Sequence, residues 1–407
     1  MPAQEELYAV VVGKLQEVLQ GEGVRITTVR RLGLVIVGLL AAKSAVLSQM
    51  ASGVWEIGVS TAERMSVLRR LRRTLRDPRV TAEQCYAPAV RTLVDWEGLR
   101  TRRKSAILAL DESSQDDRVH LLRVSLTYWG TALPLAWVTW QQNVPLVDGT
   151  YWERMDQVLT QTASIVPDGL DVIVTADRAF DVARFVERIA GRGWHWVIRL
   201  KAEGAHRFLD HQGREHALKT LIHRHVSAPG QRWKTRGRIF KGAGWCEASV
   251  VAVWAPGAKE RLVVITDLPP RWEVLKHYDR RFWIETGFRN DKSSGWHWEA
   301  NQVAALDRQR RLLVAMAWAT LLVLCLGLAE ATSRLATVAT PRRRPPRPQP
   351  ARESLFSLGL RIARRWLART SHPAFLWLLS LLQAPSWASL WRQAQSQRFL
   401  FPQTVPL

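Results

Sequence analysis

Two short apolar runs, each closed by an acid, constrain this chain more than any other feature: Ala106-Ile-Leu-Ala-Leu-Asp111 and Asp171-Val-Ile-Val-Thr-Ala-Asp177. Short unbroken apolar runs bounded by polar residues read as strands. Residues 119–128 and 132–140 read as two further strands around a turn at Gly130, and 151–164 reads as a helix. A helix over about 180–191 and a strand over 194–200 follow the second run. The expected order is three strands, helix, strand, helix, strand. Asp111 closes the first strand of that series and Asp177 the fourth. The pattern predicts an α/β fold with a mixed sheet flanked by helices.

A third acid lies on a later segment with its own pattern. In Tyr278-Asp-Arg-Arg281-Phe-Trp-Ile-Glu285-Thr-Gly-Phe-Arg-Asn-Asp-Lys292, the residues Arg281, Glu285 and Lys292 stand 3, 7 and 14 positions after Tyr278. On an α-helix turning roughly 100° per residue, the four share a stripe about 60° wide. That face presents one carboxylate beside a phenol, a guanidinium and an ammonium, which suits a metal-binding acid ringed by groups that hold phosphates. The alternative is a solvated helix face of mixed charge.

The spacing Tyr, two residues, Arg, three residues, Glu, six residues, Lys resembles the YREK signature of bacterial insertion-sequence transposases of the DDE type, and all four positions match. The strand order, with acids closing the first and fourth strands and a third acid on a later helix, is the ground plan of the RNase H-like fold. The resemblance runs from roughly residue 26 to 328. It implies Asp111, Asp177 and Glu285 as catalytic metal ligands. It also implies that Tyr278, Arg281 and Lys292 contact the phosphates and terminal nucleotides of the element's end, with Arg178, Arg289 and Trp254 counted among the DNA-binding residues. Asp177-Arg-Ala-Phe-Asp181 resembles the family's Asp-Arg-Glu-Ala-Asp stretch with Ala179 in place of the acid, and Leu110-Asp111-Glu-Ser-Ser departs from the commoner Asp followed by Gly or Thr. Several relatives excise through a hairpin and hold a flipped base on an aromatic ring, because a base leaving the stack needs a π-surface. Trp254 and Trp245 are candidates for that ring, and Trp296 and Trp298 are further ones.

The chemistry follows from the donor set. Three carboxylates brought together repel and raise one another's pKa. Divalent cations relieve this, and a site of oxygen donors without His or Cys suits Mg²⁺ or Mn²⁺. Two such ions per active site can clamp the attacking and leaving oxygens of a phosphodiester. The expected activity is a DNA transposase that cuts at inverted-repeat ends and transfers the strands to a target. The alternative is a catalytically inactive or domesticated sequence-specific DNA-binding protein of the same fold. Asp116, Asp117, Asp171 and Asp181 lie nearby but not at the expected strand ends, and His195 and His297, each between tryptophans, read as structural.

Lys and Arg number 58 against 36 Asp and Glu, a net charge of +22. Such a balance favours a polyanionic partner, and guanidinium groups grip phosphate with two bonds. The expected partner is double-stranded DNA, bound by a homodimer in a synaptic complex. Cys85, Cys246 and Cys325 form no CxxC pair, which argues against a zinc site or disulfide framework. The start of the chain has no basic segment leading into an apolar run, so a cytoplasmic protein is expected, and the resemblance implies a bacterial, nucleoid-associated one. Residues 312–329 carry no charge and read as a helix buried in a large domain or, alternatively, a membrane span; no membrane partner is expected.

The expected organisation is a helical, basic DNA-binding domain over 1–100 and a catalytic domain over 101–330. The latter holds an inserted, mainly β subdomain over about 201–270. A Pro/Arg-rich linker follows over 331–353, then a helical tail over 354–407. Within the first domain, Ser60-Thr-Ala-Glu63 resembles a capping box. It opens a helix whose Arg64, Arg69, Arg70, Arg72, Arg73 and Arg76 suit either a DNA-recognition helix or a solvated basic face.

Overall fold

The computed structural model describes residues 3–60, 62–101, 105–128, 130–338 and 354–367. Its centre is a mixed sheet. Strands β1 (Ala106–Gln115), β2 (Val119–Tyr128) and β3 (Thr131–Gln141) form an antiparallel meander. β4 (Val172–Ala176) pairs parallel to β1, and β5 (His195–Arg199) parallel to β4. Every residue of β4 is buried, as expected for a strand covered on both faces.

The sheet corrects one expectation. Asp111 does not end its strand, because β1 runs on to Gln115 and stays paired with β2 as far as Val119. The tight turn at Asp116, which has φ 46°, returns the chain directly into β2 and extends the antiparallel ladder. The parallel pairing with β4 stops earlier, at Ala109 opposite Thr175. Asp111 therefore lies just beyond the end of the contact between β1 and β4.

The inserted, mainly β segment expected over about 201–270 widens the same sheet. β6 (Arg207–Leu209), β7 (Glu215–Ala217), β8 (Arg232–Ile239), β9 (Cys246–Val253) and β10 (Leu262–Thr266) complete a ten-stranded sheet in the order β3-β2-β1-β4-β5-β10-β9-β8-β6-β7. β10 pairs antiparallel with β5, with Val264 opposite Arg199. An open β5 would leave a row of unpaired backbone groups, and the fully buried Val263, Val264 and Ile265 of β10 cover that edge.

Seven helices precede the sheet: α1 (Ala3–Leu19), α2 (Ile26–Ala42), α3 (Leu47–Glu56), α4 (Arg64–Arg76), α5 (Ala82–Cys85), α6 (Ala87–Leu93) and α7 (Trp96–Thr101). The rest are α8 (Thr150–Ala163), α9 (Ala183–Ala190), α10 (Leu218–His225), α11 (Glu273–Asp279), α12 (Phe282–Arg289), α13 (Leu306–Val338) and α14 (Leu355–Leu367). α4 starts at Arg64 with Glu63 at its N-cap and no side-chain cap, so the capping box is not formed. Thr61 lies outside the described residues. All six arginines of α4 are exposed, while Val67, Leu68, Leu71 and Leu75 on its other side are buried.

α13 contains the uncharged run 312–329. Leu306–Ala331 is long and apolar enough to cross a membrane, yet its apolar stretch is wholly buried inside the protein. A helix apolar on every side needs protein on every side. α2, α4, β3 and α14 supply it. The N-terminal helices share one hydrophobic core with the sheet. Tyr86 Oη donates to Pro134 O at 2.7 Å, Trp318 Nε1 to Cys85 O at 2.5 Å and Arg311 Nη1 to Leu75 O at 3.0 Å. α13 continues to Val338, so the first residues assigned to the linker are helical; residues 339–353 and the tail beyond 367 lie outside the described residues.

Candidate active site

β1 and β4 bring the first two acids together. The last pair of that contact sets Ala109 opposite Thr175, and Asp111 and Asp177 each follow two residues later. The backbone at Asp177 is still extended, with φ −81° and ψ −176°. Neighbouring strands lie about 4.8 Å apart, and residues in register point to the same face. Asp177 Oδ1 also accepts from Ala179 N at 2.8 Å, capping the short turn that follows.

The third acid reaches them through Arg281. Its Nη1 donates to Asp111 Oδ2 at 2.9 Å and its Nη2 to Glu285 Oε1 at 2.7 Å. The Arg281 and Asp111 side chains are 7% and 17% exposed, whereas Glu285 is 48% exposed. Burial pushes the Asp111 carboxyl up to about 6 against the pull of Arg281 and the Glu112 amide, and the charges of Asp177 and Glu285 add to the upward push. Like charges nearby disfavour the ionised form of a carboxyl.

The segment carrying Glu285 is not the single regular helix that the spacing implied. α11 ends at Asp279 and α12 begins at Phe282. Between them the bonds tighten, with Arg281 N to Tyr278 O at 2.8 Å and Ile284 N to Arg281 O at 3.0 Å. Bonds spanning three residues overwind the chain relative to an α-helix. Beyond α12, Asn290–Ser294 forms a π turn, which underwinds it. The four signature residues thus meet different surroundings. Tyr278 is fully buried in a cluster with Ile107, Ile173, Val197 and Val264. Its hydroxyl, expected to meet a DNA phosphate, is buried near Arg281 without a well-formed hydrogen bond, and burial raises its pKa. Lys292 is half-buried and lies 3.5 Å from Glu299 Oε1. Arg178 and Arg289 are exposed.

Two features fix α12 over the acids. Gly287 has no room for a side chain: a methyl there would sit 3.0 Å from Arg123 Nη2 and 3.3 Å from Ala132 O. Arg123, opposite Asp111 on β2, makes a buried ion pair with Asp291 in the π turn, and its guanidinium lies 4.2 Å from the Phe288 ring centre. Sequence reasoning missed this pair, although an arginine inside the apolar run Val119–Tyr128 is itself a sign that a buried partner exists. It also missed Glu112, which faces away from Asp111. Burial works against its carboxylate, but hydrogen bonds from His120 at 2.8 Å and Tyr151 Oη at 2.5 Å hold it below its usual range.

The aromatic candidates separate. Trp296 and Trp298 are buried, with their Nε1 atoms bound to Thr320 Oγ1 at 2.9 Å and Gln309 Oε1 at 3.0 Å, so they are packing residues and not base-stacking platforms. Trp254 is half-buried under Arg261, 4.5 Å from its ring, and Trp245 is half-buried with φ 66°. Of the two histidines, His195 pairs with Asp267 at 2.7 Å, consistent with a structural role. A further basic stripe escaped the sequence reading: Arg232, Lys234, Arg236 and Arg238 alternate along β8, all exposed.

Among the described residues, no three His, Cys, Asp or Glu side chains stand close enough to hold a metal as they are. The Arg281 guanidinium lies between Asp111 and Glu285 and donates to both. The donors are carboxylate oxygens, so the residues fit a hard divalent cation once Arg281 withdraws.

A family model described as the transposase DDE domain matches residues 148–322, a span that holds Asp177 and Glu285 and begins after Asp111. This match supports a DDE transposase. Among solved structures, the chain is similar to the cryo-EM structure of a piggyBac transposase synaptic complex with hairpin DNA, at 11% identity and TM-score 0.43 over 98% of this chain and 84% of that one. No curated protein sequence matches the chain.

Proposed function

We propose that this chain is a cut-and-paste DDE transposase, which cleaves DNA at the inverted-repeat ends of its own element and joins those ends to a target. It works as a homodimer on duplex DNA in the bacterial cytoplasm. The observation that carries this reading is that Arg281 bridges Asp111 and Glu285, far apart in sequence, beside the point where the parallel strands β1 and β4 lead into Asp111 and Asp177. The transposase DDE domain match over Asp177 and Glu285 supports it.

Asp111, Asp177 and Glu285 would hold Mg²⁺ or Mn²⁺. When bound, such ions supply Lewis-acid stabilisation to the phosphodiester undergoing displacement. Asp111 gives up its proton to become a ligand, and its burial keeps that proton on at mildly acid pH. Arg281, released from the two carboxylates, keeps two parallel donors for a phosphate of the DNA end. Lys292, Arg178 and Arg289 add positive charge along the backbone, which positions DNA without reading its sequence.

The test is cleavage of a plasmid carrying the gene's own flanking DNA, with Mg²⁺ or with chelator, by the wild type and Glu285→Ala. Cuts at the two element ends that require both the metal and Glu285 support the reading. DNA binding with no cutting under any condition sinks it.

A further inference from the structure

α14 begins beside the signature segment, and the way it is held there gives it a role. Three segments meet at Trp296. Ala45, in the corner after α2, donates its N–H to Trp296 O at 2.5 Å. Phe356 of α14 packs edge-on against the Trp296 ring, with centres 5.5 Å apart. Gly295 lets Phe356 approach, since a methyl there would lie 2.6 Å from that ring. Further along, a methyl at Gly359 would run into Val323 O, so α14 lies backbone to backbone on α13. This anchoring opens a groove of about 450 Å³ between α14, the π turn and the end of α2.

The groove is cationic. Lys43, Arg361, Arg364 and Arg365 are four of its eight lining residues, and none of the eight is acidic. Ser294 and Ser357 add hydroxyl groups, and Ser294 stands two residues after Lys292. Arg364 and Arg365 are exposed, so their charge is presented to solvent and not spent inside the fold. Lys43 is placed by a backbone in the left-handed region, with φ 52° at the C-cap of α2. Guanidinium and ammonium groups lining a concave surface, with hydroxyls between them, suit a chain of phosphodiesters.

We propose that this groove binds the sugar-phosphate backbone of duplex DNA, extending the DNA track from the signature segment onto α14. The proposal rests on the transposase reading for the identity of the polyanion. It assigns the helix after the Pro/Arg-rich segment to DNA holding, independent of sequence and separate from the catalytic acids.

The experiment uses the full-length chain and two labelled duplexes, one from the gene's flanking DNA and one unrelated, titrated over a range of KCl concentrations. Arg364→Ala/Arg365→Ala weakens binding to both duplexes alike and lowers the salt slope by about 1 per residue removed. Lys43→Gly, which suits the positive φ, lowers it by about 1 more, and circular dichroism stays that of the wild type. Unchanged affinity and slope in both variants, while the wild type still cuts its element ends, overturns the groove and leaves the transposase reading standing. Weakened binding in the variants with no cutting by the wild type overturns that reading and keeps the groove. If the variants lose affinity for phosphatidylserine vesicles and keep it for DNA, the groove serves a lipid surface and the proposal falls.

Discussion

Arg281 holds Asp111 at 2.9 Å with one arm of its guanidinium, and with the other it holds Glu285 at 2.7 Å. A single cation thus joins an acid of β1 to an acid of α12 far along the chain. This arrangement offsets the repulsion between the two carboxylates.

Removing that cation has a pH-dependent cost. Arg281→Ala leaves Asp111 buried without its partner, so the variant is less stable than the wild type by about 1–3 kcal/mol at pH 8. At pH 5, where Asp111 is protonated, the difference shrinks. Urea denaturation at the two pH values measures it, and Mg²⁺ added at pH 8 restores part of the loss. An equal loss at both pH values would show that Arg281 serves packing and not charge.

Asp111 itself predicts the sign of a stability profile. Its pKa is raised on folding from 3.8 to about 6, mainly by burial. The folded state therefore keeps the proton that the unfolded state releases. Its contribution to stability is fully present below pH 3.8 and lost as pH rises through about 6. The loss is of order 2–3 kcal/mol in the absence of metal. Asp111→Asn removes this slope in a denaturation series. Mn²⁺ competes with the same proton, so affinity for it increases up to about pH 6 and then levels off.

The Arg123–Asp291 pair behaves as a buried ion pair whose halves depend on each other. Asp291→Ala leaves the Arg123 charge buried, 3% exposed, and costs about 3–5 kcal/mol. Arg123→Met/Asp291→Leu recovers most of that loss, because apolar groups of similar volume need no partner. Thermal unfolding of the single and double variants decides it, and a double variant no better than Asp291→Ala contradicts the pair's role.

Gly287→Val tests how closely α12 must lie on the sheet. The added carbons meet Arg123 Nη2 and Ala132 O, and overpacking of that kind costs about 1–3 kcal/mol. Glu285 is only two residues away, so cutting falls by more than the stability loss explains. Cleavage measured well below the variant's melting temperature separates the two effects.

Much of the proposed site is legible in the sequence because its parts are local. Asp111 and Asp177 announce themselves by standing after apolar runs that can only be buried strands, and Tyr278, Arg281, Glu285 and Lys292 by their intervals. What those intervals imply for geometry was not legible. A three-residue turn at Arg281 and a π turn after Arg289 change the phase of the helix, and no proline or glycine between Tyr278 and Ile284 marks the first of them. Tyr278 is buried for the same reason: α11 packs its face onto β4 and β5 before the chain reaches Arg281. The twenty tryptophans show the limit from the other side, since nothing local separates Trp298, bonded to Gln309, from the half-buried Trp254.

Strand order, the chemistry of the acids and the excess of arginine are properties of residue type and short-range spacing, which the chain carries before it folds. The pairing of Asp111 with Arg281, of Arg123 with Asp291, and of α14 with the turn at Trp296 spans distances of 60 to 170 residues. Such contacts depend on which surfaces are buried together once the whole sheet has closed, including an inserted segment that widened it. Burial is a collective outcome of packing, and no window of sequence holds it.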